Sequence, residues 1–147
     1  MKLTADNAIF NFCGDHAPAL KITPPATLDI ETLDCFSNQL RNPEDKMEQL
    51  DWDRINPATG PIFVTGAEPG DTLKVTINRI DLNEQGTVCC LENEGALGHL
   101  IEGSHIRIAP IENGMVKYLD LQIPVRKMIG VIGVAPAEGA VNTGTPG

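Results

Sequence analysis

Short runs of alternating apolar and polar residues, separated by turn-forming residues, recur along the chain. In residues 72–80, the side chains of Leu73, Val75 and Ile77 share one face, and polar side chains occupy the other. Alternation with a period of two is typical of a half-buried β-strand. Further apolar runs flanked by turn signals predict strands at residues 20–22, 27–32, 62–65 and 128–136.

The dipeptide Asn113-Gly114 lies between two of these strand-like runs and predicts a β-hairpin. Asparagine and glycine are the residues that best tolerate the two positive φ angles of a type I′ turn. Helix is scarce, and the one candidate spans residues 43–50, for which an exposed loop is the alternative. The pattern therefore predicts a mostly-β fold, with an antiparallel β-sandwich-like architecture and little helix.

The length of 147 residues suits one domain, 1–147, with a core of its own. A net charge of −9 argues against nucleic-acid binding, which depends on cationic contacts to phosphates. No apolar run approaches the length of a membrane span, and the N-terminus lacks the apolar stretch of a secretory signal. We therefore expect a cytoplasmic protein without membrane contact, whose four cysteines are free thiols.

Three long segments carry a resemblance to a known family. They are DIETLDCFSNQL at 29–40, NPATGPIFVTGAEPGDTLKV at 56–75, and the run from Gln122 to Gly147 that ends in NTGTPG. In this order, over nearly the whole chain, they resemble the acetamidase/formamidase family. The resemblance implies hydrolysis of a small amide, such as formamide or acetamide, to a carboxylate and ammonia. It also implies that the chain is the N-terminal portion of a longer family member.

Amide hydrolysis requires an activated water, polarisation of the carbonyl oxygen and a proton for the leaving nitrogen. Glu68 lies in GAEPGD, where Pro69 biases it towards an extended conformation, so this loop could aim a carboxylate. Asp34 follows a predicted strand with Leu28 and Ile30 on its buried face, and would point into a pocket mouth. The plainer readings are a surface acid in a turn for Glu68 and an Asx-turn or helix-cap residue for Asp34.

A divalent metal ion, zinc or calcium, is a further expectation from the resemblance, with His16 and Asp34 as ligands and Asp34 and Glu68 as catalytic groups. Asn56 could hydrogen-bond the substrate amide, and Gly133 could present a backbone N–H to it. The simpler alternatives are that His16 is solvated, that Asn56 forms a turn and that Gly133 allows tight packing. Further ligands should come from the missing C-terminal part or from a neighbouring subunit.

Two partner arrangements are compatible with the sequence. One is a homo-oligomer, and the other is a second chain that supplies the C-terminal half. A different class of function also stays open, in which a non-catalytic β-sandwich module or half-enzyme binds a small ligand or pairs with a second chain through an exposed sheet edge.

Overall fold

A computed structural model describes residues 1–144, so the last three residues of the NTGTPG motif lie outside the described residues. Within that range the chain forms short strands and four single-turn 3₁₀ helices, without an α-helix. The strands are β1 Lys2–Leu3, β2 Ala8–Ile9, β3 Asn11–Cys13, β4 Leu20–Ile22, β5 Asp29–Ile30, β6 Ala58–Thr59, β7 Ile62–Val64, β8 Gln85–Cys90, β9 His105–Glu112, β10 Met115–Tyr118, β11 Leu121–Pro124 and β12 Ala140–Asn142. The 3₁₀ helices are Ala5–Asn7, Met47–Gln49, Trp52–Arg54 and Gly98–Leu100.

The chain divides into two compact units. The first contains Met1–Asn38, Asp51–Thr76 and the C-terminal stretch that begins at Ile129, and the second contains Gln39–Leu50 and Ile77–Met128. The first unit is built from two-stranded pairs: β1 with β5 and β4 with β7 are parallel, whereas β2 with β6 and β3 with β12 are antiparallel. The prediction of one domain over 1–147 stays a prediction.

The second unit is an antiparallel sheet of four strands in the order β11-β10-β9-β8. Its core contains Leu40, Met47, Leu50 and Ala109, all buried. Thr87 on β8 donates its hydroxyl to the Leu40 carbonyl at 2.7 Å, which fastens the segment 39–50 to the sheet. Buried apolar side chains from that segment and from β9 thus stabilise this unit.

Within the segment 39–50, a turn is closed by one carboxylate. The backbone N–H groups of Arg41 and Asn42 donate to Asp45 Oδ2 at 2.6 and 2.8 Å. These hydrogen bonds favour the charged carboxylate, so they hold the pKa of Asp45 below its ordinary value. The predicted helix at 43–50 is reduced here to the single 3₁₀ turn Met47–Gln49.

The hairpin prediction is confirmed. Asn113 and Gly114 connect β9 and β10 with φ angles of 53° and 75°, the two positive values of a type I′ turn. The mostly-β fold with antiparallel sheets and little helix is confirmed as well. No disulfide joins any of the four cysteines, all of which lie in residues 1–144.

Two strand predictions are wrong, and a third is only partly confirmed. Residues 72–80 and 128–136 form no strand within the described chain, and only Asp29–Ile30 of the predicted 27–32 is a strand. Ile30, expected on a buried face, is exposed. An alternation with a period of two indicates that a segment can form a strand. A strand also needs a neighbouring strand with which its backbone forms hydrogen bonds. That neighbour cannot be identified from the segment itself.

Candidate functional site

All five residues predicted for the site belong to the first unit, and its β3–β12 pair forms a polar centre. Asn11 on β3 is the register partner of Asn142 on β12, so their side chains leave the same face of the pair. His16 Nε2 lies 2.7 Å from Asn11 Oδ1. Because a carboxamide oxygen only accepts, Nε2 is the donor, and Nδ1 of a neutral ring is left as an acceptor or metal ligand.

The turn after β12 brings Asn56 to the same place. Gly144 donates its N–H to Asn142 Oδ1 at 2.7 Å. A Cβ atom at position 144 would lie only 2.7 Å from Asn56 Nδ2, so glycine is needed for this close approach. Thr143 is buried, and its backbone N–H and hydroxyl both donate to the Phe10 carbonyl, at 3.2 and 3.0 Å. We define Asn11, His16, Asn56, Asn142 and Gly144 as the asparagine cluster.

Asn56 also connects this cluster to Asp34. The backbone of Asn56 is left-handed, with φ of 52°, and its N–H donates to the Cys35 carbonyl at 2.7 Å. Asp34 Oδ1 accepts from the N–H groups of Phe36 and Asn38 at 3.0 and 2.7 Å. These two hydrogen bonds form the Asx-turn that was the alternative interpretation of Asp34, and they fix its carboxylate in one orientation. Its catalytic or ligand role stays a prediction.

Glu68 occupies a rigid loop after β7. Its N–H donates to Asp71 Oδ2 at 2.9 Å, and the N–H of Asp71 donates to the Glu68 carbonyl at 3.0 Å. Gly66 and Gly70 provide the positive φ angles, 81° and 100°, that let the chain reverse around this turn. The loop is thus fixed by hydrogen bonds between its own residues, and Glu68 itself is exposed. Within residues 1–144, no hydrogen bond or ion pair joins it to the asparagine cluster.

Gly133 lies against the opposite face of β3. A Cβ atom at this position would lie 2.8 Å from Cε2 and 2.9 Å from Cζ of Phe12. Phe12 neighbours Asn11 along the strand, so its side chain points to the other face. Packing of the Phe12 ring therefore accounts for glycine at 133, and the predicted substrate contact of Gly133 stays a prediction.

Sequence reasoning did not identify Asn11 and Asn142 as members of the cluster. One signal was present: both are polar residues that directly follow apolar ones, in IFN and AVN. Their proximity depends on pairing between residues more than 120 positions apart, which no local pattern reveals.

The described residues show no complete metal centre. Among residues 1–144, no group of three or more His, Cys, Asp or Glu side chains is arranged to hold a metal ion. Zinc takes about four ligands and calcium about six to eight. His16 and Asp34 alone therefore do not make up a zinc or calcium site in this part of the chain.

Two concave regions, with cavity volumes of about 280 and 660 Å³, lie in the second unit. The first is lined by Cys89, Cys90 and the loop after them, and burial raises the pKa of the Cys89 thiol. None of the five predicted site residues lines either region. No helix among residues 1–144 combines the length and the apolar composition that crossing a membrane would require.

The sequence profile of the acetamidase/formamidase family matches residues 4–143. No curated protein matches the chain.

Three solved structures resemble the fold. A predicted acetamidase/formamidase from Thermoanaerobacter tengcongensis shares 48% identity at a TM-score of 0.95, and the match covers 99% of this chain and 49% of that one. An acetamidase from Bacillus halodurans shares 38% identity at a TM-score of 0.95, covering 100% and 50%. An acetamidase from Yersinia enterocolitica, at 23% identity, a TM-score of 0.77 and coverage of 99% and 49%, shares the fold. The chain thus spans about half the length of these relatives.

Proposed function

Because this chain belongs to the acetamidase/formamidase family, we propose that it forms half of a hydrolase acting on the C–N bond of short linear amides, such as formamide and acetamide. The observation that carries the proposal is the family match over residues 4–143, supported by two structural relatives at TM-scores of 0.95. Two of the proposed site residues, His16 and Asn56, belong to the asparagine cluster of the first unit.

In the proposed reaction, water adds to the amide carbonyl carbon, the C–N bond breaks, and a carboxylate and ammonia leave. Glu68 takes the proton from the attacking water and returns it to the departing nitrogen, because ammonia leaves readily only when its nitrogen is protonated. Asp34, oriented by its two backbone hydrogen bonds, takes the proton of the newly formed carboxylic acid, so that a carboxylate leaves. All three proton transfers use carboxylates of this chain.

Substrate binding is assigned to Asn56 and to the backbone N–H of Gly133. The backbone of Asn56 is fixed by its N–H bond to the Cys35 carbonyl, and its side-chain amide lies beside the backbone of Gly144. A carboxamide can pair with an amide substrate through one donor and one acceptor. A site that satisfies both groups discriminates against molecules lacking them.

A divalent metal ion, zinc or calcium, is part of the proposal, with His16 and Asp34 as two of its ligands. Such an ion would polarise the substrate carbonyl. Asn11 would orient His16 by accepting from Nε2, so that Nδ1 faces the ion. Because these two residues do not form a complete site, the other ligands would come from the other half of the enzyme or from a neighbouring subunit. We further propose that the assembled enzyme is cytoplasmic.

One observation favours a second function. The chain spans only half the length of its solved relatives. A non-catalytic module that binds a small ligand, or a half-enzyme that acts only with a second chain, would be compatible with that length.

Ammonia release from formamide and acetamide, measured with and without a chelator, separates these possibilities. Glu68→Gln should abolish release with an unchanged circular dichroism spectrum, whereas the exposed control Glu44→Gln should retain it. Full activity in Glu68→Gln would refute the role of Glu68. Absence of release from the folded parent chain, followed by release after addition of the other half of a relative, would establish the half-enzyme.

A further inference from the structure

Two stretches of the first unit have the composition of strands but no strand partner. They are residues 72–76, TLKVT, and residues 129–136, IGVIGVAP, and we call them the two unpaired stretches. Both contain β-branched residues, which favour strands. Within residues 1–144, neither stretch makes a backbone hydrogen bond. A row of free N–H and C=O groups is what a sheet edge offers to an added strand.

The same stretches expose large apolar side chains. Leu73 and Val75 are each 54% exposed, Ile132 is 66% exposed and Val134 is 73% exposed. Isolated exposed apolar residues are ordinary, but contiguous ones mark an interaction surface. In the two unpaired stretches, the exposed apolar side chains lie on backbone that makes no backbone hydrogen bond within the described part of the chain. Pairing with an added strand would therefore satisfy the backbone groups and cover the side chains together.

The total surface leads to the same conclusion. The chain exposes 10951 Å². A folded monomer of this mass exposes about 7300 Å², and two independent units of half the mass expose about 8800 Å². The excess is therefore at least about 2100 Å², whereas a standard interface buries about 800 Å² on each partner. This excess of accessible surface is as large as the area that an obligate partner buries.

The length of the relatives identifies the occupant. Two proteins that match this chain at a TM-score of 0.95 contain about as many residues again outside the match. We propose that the two unpaired stretches are the docking surface for a polypeptide equivalent to that other half, which adds strands to them and covers their apolar side chains. This inference rests on the partner arrangement within the proposed function, but its test does not use amide hydrolysis.

The test mixes this chain with the half of the Thermoanaerobacter tengcongensis relative that it does not match. Native mass spectrometry should show a one-to-one complex of about twice the 15.8 kDa mass of this chain. Hydrogen exchange should slow in residues 72–76 and 129–136 on mixing, because new strand pairing protects amide groups. A complex in which protection appears only elsewhere would overturn the assignment of the surface.

Substitutions make the test specific. Val75→Lys and Val134→Lys each place a charge in the proposed contact, and each should weaken the complex about tenfold or more. Both positions are more than half exposed in this chain, so the circular dichroism spectrum of each variant alone should match the parent. Leu119→Lys, at an exposed residue of the second unit, is the matched control and should leave the affinity unchanged.

Two other outcomes would refute the inference. One is a mixture in which the chain stays at 15.8 kDa, and the other is a homodimer that the same two lysine substitutions dissociate. A complex that forms as expected but releases no ammonia would support the docking surface while refuting the proposed hydrolysis.

Discussion

Replacing Gly133 by alanine should destabilise the first unit through one contact. The new Cβ atom would lie 2.8 to 3.2 Å from three atoms of the Phe12 ring, whereas ordinary contacts of this kind begin at about 3.4 Å. Phe12 is on β3, which is hydrogen-bonded to β12. The ring must therefore move by about half an ångström or more, against a strand pair that fixes its backbone.

The magnitude follows from two opposing effects. Overpacking of this kind lowers the free energy of unfolding by about 1–3 kcal/mol. Alanine also restricts the unfolded chain more than glycine does, which raises the free energy of unfolding by about 0.4–1 kcal/mol. We therefore expect the free energy of unfolding to fall by about 1–2 kcal/mol in total. With an m value of about 1.5 kcal/mol/M, the urea midpoint should fall by about 1 M.

Urea unfolding followed by tryptophan fluorescence is the appropriate assay, because the single tryptophan, Trp52, lies in the first unit. Gly130→Ala is the matched control: nothing lies within 4 Å of its Cβ position, so its midpoint should stay constant or rise. Phe12→Leu should rescue part of the loss when combined with Gly133→Ala. Equal stability of the two alanine variants would refute the packing argument.

Three further predictions concern the second unit. Leu40 is 2% exposed, so Leu40→Ala should cost about 2–5 kcal/mol in urea unfolding followed by circular dichroism, and a cost below about 1 kcal/mol would contradict its place in the core. Since hydrogen bonding lowers the pKa of Asp45 in the folded state, its stabilising contribution exists above the unfolded pKa of about 3.9 and is lost as the pH falls through the folded value. The stability difference between the parent and Asp45→Ala should therefore be constant near pH 7 and shrink below pH 4, and a difference that grows with acid would contradict this sign. Because burial raises the pKa of Cys89, iodoacetamide at pH 7.5 should modify Cys89 more slowly than the exposed Cys90, as peptide mass spectrometry would show. Equal rates at the two thiols would contradict the burial of Cys89.

Local chemistry determined the features that need only neighbouring residues. The turn at Asn113-Gly114 depends on the φ preferences of two adjacent residues, and it forms as predicted. The rigid turn around Glu68 likewise depends on Gly66, Gly70 and Asp71. The strands at 20–22 and 62–65 were also recognisable from their short apolar runs. Family membership follows from long segments of sequence.

Tertiary structure alone decided which of these elements pair. The strands at 20–22 and 62–64 become parallel partners although their paired residues are 42 positions apart (Leu20 with Ile62), and Asn11 meets Asn142 at the centre of the candidate site. The stretch 72–80 has the alternation of a strand and remains unpaired in the described chain. A turn is set by φ and ψ preferences of adjacent residues, whereas a strand is completed by hydrogen bonds to a distant segment. The sequence by itself determined the turns, the strands at 20–22 and 62–64 and the family, and the tertiary structure decided which strands form and pair and which polar residues share the site.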